Sequence, residues 1–144
     1  MPLIDLCSEC AYFINKSLNY DETFDYDLDI RTINSQNSKS DNERNKRADV
    51  IVTTIQSAGT GTDIPGITDI ISCSPYKSAI TAEQVFGRIR YCGKICHYYD
   101  IVDDSVLMDK IFHKCRLKKF KYLALNVRCL KWSDDDDENE KKNK

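Results

Sequence analysis

The chain has 144 residues, 41% hydrophobic and 31% charged, with a formal net charge of -2. That length and balance suit one globular domain with its own core, and exclude a protein held to nucleic acid by a global basic field. No apolar stretch approaches the ~20 residues that span a bilayer, and the N-terminus lacks the charged and apolar regions of a secretory signal, so an intracellular protein is expected, neither secreted nor bound in a membrane.

Residues 3–6 are short and apolar and predict a first strand. Ser8 then offers an N-cap to a helix with Ala11, Phe13, Ile14 and Leu18 at helical spacing. Residues 19–29 read as an acidic surface loop, and residues 30–33 as a second strand. Residues 34–47 are almost wholly polar. Either they form a loop, or Asp41 caps a short exposed helix through Arg47, the reading favoured here. Residues 50–54 are a continuous β-branched run, the mark of a parallel strand buried on both faces.

A glycine-threonine loop follows over residues 59–66, with Pro65 barring helix. Residues 68–73 predict another strand, ended by Ser74-Pro75. Thr81-Ala82-Glu83-Gln84 fits a capping box, which predicts a helix over residues 81–88. Residues 97–102 predict a fourth central strand, and residues 108–121 an amphipathic helix with a basic outer face. Residues 123–130 predict a last strand, with Trp132 ending the packed part. Beyond it, residues 133–144 are charged and polar, and disorder is expected there.

Strands alternating with helical segments imply crossover units. The expected fold is therefore α/β: one domain over residues 1–132, a mostly parallel sheet flanked by helices. Ligands of such sheets bind outside the carboxyl ends of the strands. The seven cysteines, in a chain without an export signal, are expected as free thiols. Cys7-x-x-Cys10, and Cys92 with Cys96-His97, invite a zinc reading. Neither shows the paired knuckles of a structural site, so buried small hydrophobes are expected instead, and no metal.

Two phrases carry chemistry. The first, Gly59-Thr60-Gly61-Thr62-Asp63-Ile64-Pro65-Gly66, follows Thr53 and Thr54 at a strand end. Glycine lets backbone N–H groups approach an anion, and threonine adds a hydroxyl. Asp63 repels phosphate, but could accept from a ribose hydroxyl or fix an arginine. The plain alternative is a tight turn in which Asp63 caps Gly66 or Thr68. The second phrase is Gln84-Val85-Phe86-Gly87-Arg88-Ile89-Arg90. Arginine suits a transferring phosphoryl group, because its charge is permanent and its fork rigid. The plain alternative is a surface salt bridge at a helix end.

The joint order of these parts resembles motifs V and VI of the superfamily-two helicases, in the second RecA-like domain of a two-domain ATP motor. The resemblance covers roughly residues 3–105, is specific over 48–91, and is closest to helicases of bacteriophages and large DNA viruses. It implies that Thr53, Thr54, Gly59 and Thr60 touch the backbone of a nucleic acid, DNA in the first instance. Gly61, Asp63 and Gly87 would face the nucleotide. Gln84, Arg88 and Arg90 would reach the triphosphate of ATP, bound with Mg2+ on an N-terminal helicase domain. The family places its second arginine three residues after the first. Here Tyr91 holds that place and Arg90 precedes it, so the arginine finger is Arg88 or Arg90.

No Gly-x-x-x-x-Gly-Lys-Ser/Thr string is present, and Asp135-Asp136-Asp137-Glu138 lacks the apolar strand that a magnesium-binding box requires. The chain is thus expected to be inactive alone. Two other readings stay open: a non-catalytic docking or nucleic-acid-binding module of helicase descent, and an unrelated phosphate-binding α/β domain.

Overall fold

The computed structural model describes residues 3–20, 27–59, 63–89 and 93–131. Along the chain these form α1 (Leu3–Tyr20), β1 (Ile30–Ile33), α2 (Lys39–Asn45), β2 (Val50–Thr53), α3 (Ile55–Gly59), β3 (Asp69–Ser72), α4 (Ala79–Phe86), β4 (His97–Asp100) and α5 (Leu107–Leu123). The four strands make two small parallel sheets, β1 with β2 and β3 with β4. Each pair is joined through a helix, α2 in the first unit and α4 in the second. The chain is therefore α/β and built of crossover units, but its strands lie in two pairs rather than one sheet.

The predicted first strand is instead the start of α1. Cys7, Ala11, Ile14 and Leu18 recur at helical spacing, and that period runs back through residues 3–6. Ser8 consequently lies inside the helix rather than at its N-terminus. Cys7 is the buried member of this face, and α1 packs across β1 and β2. The strand expected over residues 123–130 is also absent. Residues 124–131 have no regular structure, and Leu125 and Leu130 stand exposed with no neighbouring strand to pair them. Trp132 and the segment 133–144 lie outside the described residues.

In the first unit Ile30 pairs with Val50 and Ile33 with Thr53. The β2 residues are all half-buried rather than enclosed on both faces, since no second layer covers them fully. Ser38, not Asp41, caps α2: its Oγ accepts from Asp41 N at 3.0 Å. The carbonyls of Asp29 and Ile33 point to β2, accepting from Val50 N and Thr53 Oγ1. By strand alternation the Thr32 and Asn34 carbonyls point to the opposite edge. There Asn37 and Asn45 each donate a side-chain amide to Thr32 O at 2.9 Å, and Asn42 donates to Asn34 O at 2.9 Å. Side chains of α2 and the turn before it thus stand in for a missing strand.

The second unit carries most of the aromatic core. Ala82 and Val85 of α4 and Phe120 of α5 are buried, and α4 packs on α5. Tyr98 of β4 meets Phe120 at 4.8 Å and Phe86 at 5.8 Å between ring centroids. The other face of this sheet is open. Ile71 and Tyr99, partners in adjacent strands if offset by no residue, are both exposed, beside the Asp69–His97 pair at 2.9 Å.

Candidate nucleotide and nucleic-acid site

Thr53 and Thr54 close β2. Thr53 Oγ1 donates to Ile33 O at 2.7 Å, tying the ends of the first strand pair together. Thr54 Oγ1 accepts from Ser57 N at 3.1 Å and so caps α3. The chain turns straight from strand into a short helix, and Gly59, predicted to open the loop, is the last residue of α3. Thr60 and Gly61 lie outside the described residues.

The loop resumes at Asp63, which is exposed, and Ile64, which is buried. Asp63 and Pro65 line an open cleft with Glu43, Arg44, Lys46 and Arg47 at the end of α2. The cleft is mixed in charge, because Arg44 pairs with Asp41 at 3.2 Å and Lys46 with Glu43 at 2.6 Å. Gly66 adopts φ +76°, a left-handed conformation that a Cβ disfavours, and the surrounding space is empty. Glycine is required there for backbone shape alone.

The helix of the second phrase begins earlier than expected. Ser78 Oγ accepts from Thr81 N at 3.1 Å, so Ser78 is the cap and the box predicted from Thr81 does not form. Gln84 is exposed on α4, and Arg88 is half-buried just past its end. Gly87 N donates to Glu83 O at 2.8 Å, whereas Arg88 N and Ile89 N reach back three residues, to Val85 O and Phe86 O at 3.1 Å. The final turn is therefore tightened. A Cβ on Gly87 would sit 3.2 Å from Glu83 O, a close approach that favours glycine. Arg90 lies outside the described residues. Helix α3 packs against α4, which brings the element after Thr54 to the element bearing Gln84 and Arg88.

The sequence reading missed a buried ionic centre. Arg116, within the helix predicted to carry a basic outer face, is wholly buried. Its Nε donates to Asp100 Oδ2 at 3.1 Å and its Nη1 to Tyr76 O at 2.7 Å, while Nη2 faces Asp109 Oδ1 at 3.4 Å. His113 Nδ1 shares Asp100 Oδ2 at 3.0 Å. Tyr76 OH and Tyr98 OH are 2.7 Å apart. Burial pushes both phenols up, most strongly Tyr76, whose bond with Tyr98 adds to the effect. The available signal was the seven-residue step from Asp109 to Arg116, two helical turns on one face with Phe120. This centre ties β4 and α5 to the loop leading into α4.

The cysteines differ from expectation. Among the described cysteines only Cys7 is buried; Cys96 and Cys115 are half-buried, Cys10, Cys73 and Cys129 are exposed, and Cys92 lies outside the described residues. Burial, then the neighbouring Cys10, holds the Cys7 and Cys73 thiols above their usual range. Among the described residues no three His, Cys, Asp or Glu side chains converge to hold a metal ion, and no helix is long and apolar enough to cross a membrane.

Fold and site together define an α/β protein of parallel crossover units with its motif residues at strand and helix ends. No protein-family model matches the chain, and no curated protein or solved structure is similar to it.

Proposed function

We propose that the chain is the C-terminal, RecA-like motor domain of an ATP-dependent nucleic-acid helicase of superfamily two. The observation that carries this reading is the packing of α3 on α4. It brings the helix that follows Thr53 and Thr54 into contact with the helix that carries Gln84 and leads into Gly87 and Arg88. Contact between the elements that bear the two motifs supports a motor that couples a nucleic-acid strand to a triphosphate.

The donors at the end of α4 fit a triphosphate: a planar cation, a side-chain amide, and a glycine that leaves room for close approach. ATP bound with Mg2+ on a partner N-terminal domain supplies the phosphoryl group. Arg88 then places its fixed charge against developing negative charge, and Gln84 orients by hydrogen bonding. To donate to the strand backbone, Thr53 and Thr54 exchange the bonds their hydroxyls now give to Ile33 O and Ser57 Oγ. The resemblance assigns Asp63 and Gly61 to the sugar side of the nucleotide.

The test is ATP turnover by a superfamily-two N-terminal RecA-like domain supplied in trans, measured with and without this chain. Stimulation on the order of a thousandfold, lost in Arg88→Ala, is expected of an arginine finger. No stimulation, or stimulation indifferent to Gln84 and Arg88, overturns the reading.

A further inference from the structure

Four lysines of α5, Lys110, Lys114, Lys118 and Lys121, are all exposed. At 100° per residue they fall within an arc of about 80° and extend over about 17 Å of helix axis. Asp109, Arg116 and Phe120 occupy the opposite, buried side. No ion pair among the described residues uses any of the four, although Lys110 lies near enough to Asp103 to interact with its carboxylate and the adjacent Lys119 pairs with Glu83 at 2.8 Å. Like charges on successive turns repel, so this face is held at a cost that an anionic neighbour would relieve.

The chain itself carries a matching anion. Residues 134–140 hold six carboxylates in seven positions. Extended, seven residues span about 23 Å, slightly more than the lysine stripe. The ten residues 124–133 that follow α5 reach up to about 35 Å, enough to return to either end of the stripe. A tether of that length gives an effective concentration on the order of millimolar, above what a free polyanion of the same charge reaches.

We propose that the lysine face of α5 is a docking surface for the chain's own acidic segment, residues 134–140. The association is electrostatic and without fixed pairing, so salt weakens it. It masks the basic face and leaves the motif residues at the ends of β2 and α4 untouched. The proposal stands independently of the helicase reading.

The test is zero-length carbodiimide cross-linking of the full chain at low micromolar concentration, with linked peptides identified by mass spectrometry. Links from 134–140 should concentrate on Lys110, Lys114, Lys118 and Lys121 rather than on the exposed Lys16, Lys39, Lys77 and Lys94, and should vanish at high salt. Neutralising the six acids to Asn and Gln should raise the acylation rate of the four stripe lysines several-fold, leaving the other lysines unchanged. An even spread of links overturns the proposal, as do links found only in cross-linked dimers. Equal shielding of the stripe by a single-stranded oligonucleotide in the native and neutralised chains would assign the face to nucleic acid and also overturn it.

Discussion

Arg116 shows what one buried charge demands. It is wholly enclosed, so its cost of desolvation is offset by Asp100, Asp109, the Tyr76 carbonyl and the Tyr76 ring, whose centroid lies 4.9 Å from the guanidinium. Removing it leaves two carboxylates facing each other without a cation. Arg116→Ala should lower the unfolding free energy by about 3–5 kcal/mol, read as a fall in the urea midpoint. Arg116→Lys should recover little, because a point charge cannot bridge three acceptors as the planar fork does. The tyrosine pair gives a pH signature. Both phenols are raised in the folded chain, so their contribution is intact below the ordinary tyrosine value of ~10. Above it the unfolded chain releases the protons first, and stability falls as pH climbs towards the folded values. Urea midpoints taken from neutral to strongly alkaline pH should show this fall, and a Tyr76→Phe/Tyr98→Phe variant should show a flatter profile.

Among the elements, α4 is the one whose boundaries matter most, because its end carries Arg88. Ser78→Ala should cost about 1 kcal/mol in thermal unfolding, and Thr81→Ala clearly less, since only Ser78 caps the helix. An equal loss at both positions would restore the box from Thr81. Arg88 keeps the Gly-Arg spacing from Gln84, so in an assembled motor Arg88→Ala should impair hydrolysis more than Arg90→Ala does. If turnover collapses in the Arg90 variant alone, the displaced second arginine is the finger. The four strands were legible because each is a compact β-branched or aromatic run between turn residues. The body of α1 was legible from Ala11, Phe13, Ile14 and Leu18, but its start was not, because three apolar residues among the four of 3–6 look alike in strand and helix until the period is carried back through Cys7. Residues 123–130 misled by composition: leucines without a partner strand make no strand. Arg116 was hidden by its lysine neighbours, which share its charge but not its side of the helix.

At the scale of the molecule, the described residues expose more large apolar side chains than they bury, with Ile71, Tyr99 and Ile101 grouped at the open β3–β4 face. The chain alone should turn over no ATP, with or without single-stranded DNA; steady hydrolysis that disappears in Arg88→Ala would contradict this. Binding of single strands should be weak and should fall linearly on logarithmic axes as salt rises. The site itself was legible only as residue types in order. That α3 packs on α4 is a tertiary fact with no sequence signature. The asparagine amides along β1 have a further consequence, for direction of growth. A strand offered from another chain finds the outer carbonyls of Thr32 and Asn34 already occupied, so β1 is a finished border. Whatever lengthens that sheet must join beside β2, the strand that ends in Thr53, and every such addition builds outward from the motif rather than away from it.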